Sequence, residues 1–218
     1  DYPDLERAKV FLRELAEYEK AGQMPKLILM RMGNDHTAGT AAGKLAPLSL
    51  AADNDYGVGL VVEGVSRSRF WSKTAIFILE DDAQNGADHV DSHRSPAWVI
   101  SPYVARRRVD SSMYNTTSML RTIELILGLR PMTQFDAAAR PLTAAFGTAA
   151  DATPYVVEKP RIALDERNPA SAAGAARSEQ MDFSAEDRID DDELNAVLWA
   201  AIKGDPAPPP PVRSFFSH

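Results

Sequence analysis

The sequence predicts an α/β fold: a mixed, mainly parallel sheet with helices on both faces, followed by an extended C-terminal arm. Three observations predict it. Short continuous apolar runs alternate with stretches of helical period, the pattern of strands covered on both faces and joined by helices. Polar clusters fall directly after the predicted strands, which is where ligands bind in such sheets. Past about residue 146 the chain turns rich in Ala, Ser, Pro and acid, the composition of an arm rather than a core. These observations divide the 218 residues into an α/β domain over residues 1–150 and an arm over residues 151–218.

The elements follow in order. Over residues 4–22, Leu5, Ala8, Leu12, Leu15 and Tyr18 recur at threes and fours, giving an amphipathic helix stopped at Gly22. Residues 26–32 (KLILMRM) are a short apolar run between Pro25 and Gly33, read as a buried strand because it is too short for a helix. A second helix occupies residues 48–66. Residues 74–79 (TAIFIL), β-branched and aromatic, form the clearest strand and run into Glu80, Asp81 and Asp82. A third strand is predicted over residues 97–101, before Pro102. Residues 117–127 have helical spacing, with Thr at the start and Gly128 at the end as caps.

In the arm, residues 171–192 read as loosely ordered and residues 192–203 as one short amphipathic helix. Leu194, Val197, Leu198 and Ile202 lie on its apolar face, which either packs on the parent sheet or serves as an interaction segment. Residues 205–212 (DPAPPPPV) predict extended polyproline. There is no internal repeat.

Composition narrows the partners. Lys and Arg total 24 against 31 Asp and Glu, a net charge of −7, which opposes a nucleic acid held by a general basic field. Small molecules or metal cations fit better. The absence of Cys excludes disulfides and thiolate metal sites and leaves the compartment open. No apolar run approaches the roughly 20 residues of a membrane span, and residues 1–20 lack the apolar centre of a signal peptide.

Three of the four histidines, His36, His89 and His93, lie in Asp-rich segments just after a predicted strand. The first cluster is Asn34-Asp35-His36-Thr37. The second is Glu80-Asp81-Asp82, followed by Asp88-His89-Val90-Asp91-Ser92-His93-Arg94. Carboxylate oxygens and imidazole nitrogens suit a hard or borderline divalent cation, and carboxylates packed so closely repel one another unless a cation or an arginine compensates them. Adjacent Asp81 and Asp82 reach one cation only if the chain turns at once, and Asn85-Gly86 supplies that turn. The competing reading is ordinary solvated surface, with Asp35 capping a turn and each Asp/His pair a simple hydrogen-bonded couple.

The run from Phe70 to Asp82 (FWSKTAIFILEDD), continuing to Asp88-His89-Val90, resembles the bacterial phosphoesterase family of non-specific phospholipases C and acid phosphatases, a branch of the alkaline phosphatase superfamily. Asn-Asp-His-Thr at residues 34–37, Val-Ile-Ser-Pro-Tyr at 99–103 and Tyr-Asn-Thr-Thr-Ser at 114–118 resemble further segments of that family. The stretch from Asp81 to Arg94 is similar above all to the phosphoesterase domains carried behind YncE-type β-propellers. The resemblance covers about residues 5–146. It implies that Asp81 and Asp82 hold a metal, that Asp35 and His36 form a second ligand set or a phosphate contact, and that His89 lies near the phosphate. His89 and His93 are then ligand or general acid, and Arg94 a phosphate clamp. Asn115 stands where many members have His, so it is expected to contact substrate while His93 takes over the ligand role.

The implied activity is metal-dependent hydrolysis of a small-molecule phosphate ester or a phospholipid, with zinc, manganese or calcium as the cation. The superfamily's first ligand and its Ser or Thr nucleophile belong to an N-terminal half, so the chain is expected to correspond to the C-terminal half of such a domain. Thr37, Thr40, Ser92 or a water on the metal are the candidate nucleophiles. The alternative is a catalytically incomplete half-domain that binds metal or phosphate, or a structural module whose open sheet edge is covered by a second copy in a homo-oligomer. Members of the family are often exported, which implies a periplasmic or secreted parent.

Overall fold

The computed structural model describes residues 2–81, 95–184 and 188–204, apart from the side chain of residue 191. Its elements are α1 (Asp4–Ala21), α2 (Pro47–Arg67), β1 (Ile76–Leu79), β2 (Ala97–Ile100), α3 (Thr116–Leu127), α4 (Gln134–Ala138), α5 (Ala175–Ser178) and α6 (Asp191–Lys203). Single 3-10 turns lie at Trp71–Lys73 and Thr143–Ala145.

The expected mainly parallel sheet is overturned. Among the described residues the only sheet has two strands, β1 and β2, and they are antiparallel, with Ile76 opposite Ile100 and Leu79 opposite Ala97. The architecture is dominated by helices. The correction turns on residues 26–32, expected as a buried strand and found without strand pairing, every residue but Met32 exposed and Leu29 at 86%. An apolar run sets β propensity locally, but a strand exists only when a neighbour supplies the hydrogen-bond ladder. The segment is held at its ends instead. Gln23 N–H donates to Tyr18 O at 3.1 Å, and Asn54 Nδ2 donates to Met32 O at 3.0 Å.

α1 and α2 pack together on their apolar stripes. Ala8 and Leu15 of α1 are buried, as are Leu50, Val62 and Val65 of α2. Gly64 permits the close approach: a Cβ there would lie 2.2 Å from Leu12 Cδ2. Leu15, Val65 and Trp71 form the centre of the core, with Phe11, Met24, Phe70, Ile76, Ile100 and Tyr155 packed around it. Each fully buried side chain of this size contributes about 1.5–3 kcal/mol in transfer free energy. Tyr155 meets Trp71 edge to face with ring centroids 6.2 Å apart, so the chain beyond residue 150 helps to close this core.

Within residues 171–192, expected to be loosely ordered, residues 173–178 are packed against the segment at Thr40. Ser178 of α5 is buried, and its Oγ accepts a hydrogen bond from Thr40 N–H at 2.9 Å, while Thr40 Oγ1 donates to Ala173 O at 2.7 Å. Small side chains here permit close packing rather than disorder: Val197 of α6 sits against Gly174, where a Cβ would lie 2.8 Å from its methyl group. Leu194 and Val197 are buried. The polyproline expected over residues 205–212 lies outside the described residues. Among the described residues no helix is long and apolar enough to cross a membrane.

Candidate functional site

The first Asp/His cluster stands on a polar network that joins α1, α2 and the segment after Met32. An α-helix leaves its first N–H groups without intrahelical partners. In α1 a neighbouring helix supplies them: Asp53 of α2 accepts from Asp4 N–H at 2.6 Å and from Leu5 N–H at 3.4 Å. Asn34 bridges the two acids, its side-chain amide donating to Asp53 at 2.8 Å and its backbone N–H to Asp4 at 2.7 Å. Asn54 donates to Asp4 at 3.0 Å, and Arg7 pairs with Asp4 at 2.6 Å. Asp4 and Asp53 are almost fully buried, and these donors satisfy them as burial requires. Gly57 allows the crossing, since a Cβ there would lie 2.9 Å from the Asp4 carbonyl.

This network fixes Asn34, and the next two residues are Asp35 and His36. Both reach solvent. Desolvation by the surrounding protein is nevertheless the largest influence on Asp35 and pushes its carboxyl above the ordinary carboxylate range. A hydrogen bond from its own backbone N–H opposes that push. The negative charges of Asp4 and Asp81 add to it, and His36 opposes it. Asp81 follows the end of β1, so the fold brings residues 46 positions apart in sequence into one electrostatic neighbourhood.

Of the residues read from the sequence as a site, His36 and Asp81 therefore act electrostatically on Asp35. Asp82, His89, His93 and Arg94, together with Ser92, lie outside the described residues. Among the described residues no group of three or more His, Asp or Glu is close enough to hold a metal. Thr37 and Thr40 are buried and engaged in local bonds, Thr37 Oγ1 to Gly39 O at 3.3 Å and Thr40 Oγ1 to Ala173 O. Their hydroxyls hold the loop.

Asn115 is placed by a different element. Its Oδ1 accepts from Ser118 N–H at 2.9 Å and from Thr117 Oγ1 at 2.8 Å, closing a capping box at the start of α3. It lines an open concavity of about 550 Å³ with Thr117, Gln134, Phe135, Ala138 and Ala139, a set that includes none of Asp35, His36 and Asp81.

The acids that sequence reasoning missed are Asp4 and Asp53. One signal was present: Asp53 shares the i, i+3, i+4 face of Leu50 and Gly57, and a carboxylate on a buried stripe needs a partner. Comparison with known proteins finds no match for the chain among family models, curated proteins or solved structures.

Proposed function

We propose that this chain acts in metal-dependent hydrolysis of phosphate esters, with Asp35, His36 and Asp81 at the centre of the site. One observation carries the reading: Asp35 feels the negative charges of both Asp4 and Asp81, which come from distant segments, an acidic neighbourhood that a divalent cation would neutralise. Since no three of the described residues are close enough to hold a metal by themselves, zinc, manganese or calcium would need Asp82, His89 or His93 as further ligands beside Asp35, His36 or Asp81. Bound there, the cation would neutralise phosphate oxygens and acidify a water.

The chain's own groups then divide the remaining work. Asn34 anchors the Asp35 segment, so the carboxylate is presented without reorganisation. Desolvation and the charges of Asp4 and Asp81 disfavour a bare Asp35 carboxylate, and a cation bound beside it would relieve that cost. Asp82, His89, His93 and Arg94 complete the proposal from the sequence as further ligand, general acids and phosphate clamp.

A second reading, a metal- or phosphate-binding module without turnover, is favoured by the engagement of Thr37 and Thr40 in loop bonds, which leaves neither hydroxyl free to attack. Elemental analysis of protein purified without added metal, paired with hydrolysis of chromogenic phosphomonoesters and diesters, separates the two. The hydrolase reading expects a near-stoichiometric cation and chelator-sensitive turnover, both lost in Asp81→Ala. Bound cation without turnover selects the second reading, and no cation in either protein after dialysis against zinc, manganese and calcium, with no binding of inorganic phosphate, sinks both.

A further inference from the structure

Residues 103–140 differ from the rest of the chain in charge. They hold six arginines against three acids, a charge of +3 in a chain of net −7. Two of those acids, Glu124 and Asp136, are buried, which leaves Asp110 as the only exposed one. Arg121 is engaged with Glu124 at 3.1 Å and Arg106 with Asp151 at 3.1 Å. Arg107, Arg108, Arg130 and Arg140 are exposed, and among the described residues none of them makes an ion pair with an acid.

The same stretch exposes large apolar side chains. Met113 is 91% exposed, Val109 87%, Met132 71% and Phe135 70%. Contacts tie parts of this stretch together. Phe135 and Asn115 line the concavity between the start of α3 and α4. Arg140 lies over the Tyr114 ring, 5.7 Å from its centroid, and Tyr114 Oη donates to Asp110 at 3.2 Å. Arg108 acts electrostatically on the same Asp110. Exposed apolar side chains in a stretch that also carries unpaired guanidinium groups are costly on an isolated protein and suit an interface that is part apolar and part anionic.

We propose that this surface docks the protein on a bilayer bearing anionic phospholipids, with Met113, Val109, Met132 and Phe135 entering the headgroup and acyl boundary and Arg107, Arg108, Arg130 and Arg140 meeting lipid phosphates. Guanidinium is the apt cation, because its planar fork binds phosphate oxygens in pairs and it is weakly hydrated. Charge complementarity selects anionic over zwitterionic lipid, with each arginine near the surface worth about a fivefold gain in partitioning. Protruding side chains of this kind need no preformed pocket in the partner, which favours a soft lipid surface over a folded protein. The inference does not rest on the metal site: a chain that binds no cation can still bind vesicles.

The test is flotation of the full chain with vesicles of phosphatidylcholine alone and of phosphatidylcholine mixed with phosphatidylglycerol, at low and high salt, with light scattering of the free protein. The expected result is flotation with the mixed vesicles only, weakened by salt. Arg107→Gln, Arg108→Gln and Arg140→Gln combined should weaken it about a hundredfold. Met113→Asp with Phe135→Asp should weaken it at least tenfold, with the circular dichroism unchanged because both side chains are exposed. Failure to float, equal flotation with both lipids, or variants that float like the parent would each overturn the proposal. A parent dimer that Met113→Asp and Phe135→Asp render monomeric would also overturn it, assigning the surface to a second copy instead.

Discussion

Asp4 and Asp53 lie at the junction of α1 and α2, and Asp35, next to their partner Asn34, feels the charges of Asp4 and Asp81, yet the buried and the exposed acids are treated in opposite ways. The buried pair is removed from water and surrounded by donors: two helix amides, the Asn34 backbone and side chain, Asn54 and Arg7. Asp35 and Asp81 keep contact with solvent, and Asp35 feels the charge of Asp4 against that of His36. Burying an acid requires that its charge be answered by the fold. An acid whose charge is left to be answered from outside is the better candidate for chemistry.

The largest effect should come from removing the buried pair's compensation. Asp53→Ala strips the partner from Asp4 N–H, Leu5 N–H and the Asn34 side chain at once. Orphaning buried donors of this kind costs about 3 kcal/mol or more. Urea denaturation should show a midpoint shift of that order, and the Asp35 segment should lose its anchor with it. A loss below about 1 kcal/mol would mean that the network is surface decoration, and the contrast between the buried and the exposed acids would fall.

A third acid tests whether compensation by hydrogen bonds is the distinguishing feature. Asp136 lies in the capping box of α4, where Thr133 Oγ1, Met132 N–H at 2.7 Å and Thr133 N–H at 2.8 Å all donate to it. The Thr133 hydroxyl bond is the largest cause that holds its carboxyl well below the ordinary range. A folded pKa depressed in this way contributes stability that is complete above the unfolded value of about 4 and is lost as the pH falls through and below it. Acid titration followed by near-ultraviolet circular dichroism should show this loss, and Asp136→Asn should flatten it. An unchanged acid limb would place the cap's contribution elsewhere.

Local features were legible in the sequence, and long-range ones were not. The α1 stripe, its stop at Gly22, the β1 run and the close of α3 at Gly128 were readable because period and cap chemistry are encoded within a few residues. The strand expected at residues 26–32 failed because pairing needs a neighbour that composition cannot supply. Order in α5 was hidden because it depends on Thr40, 138 positions away from Ser178. The site divides in the same way. Asp35, His36 and Asp81 are candidates from clustering after apolar runs and are related in the structure only by charge, whereas Asn115, read from a family likeness, is occupied in a cap and lines a separate concavity.

The smallest effect on stability is also the one that separates the two kinds of acid most directly. Because Asp35 is held above the ordinary carboxylate range in the fold, its ionisation works against folding. Its contribution is most favourable below the unfolded pKa of about 4 and is lost as the pH rises through the folded value. Asp35→Asn removes that penalty at neutral pH. Since the side chain reaches solvent, the change should be slight, a gain of no more than about 0.5 kcal/mol. The same variant should lose the cation and the turnover proposed for the site. Stability kept and metal lost is the signature of an acid that the fold holds at a cost for use. A variant that unfolds as Asp53→Ala does would instead place Asp35 among the structural acids and remove it from the site.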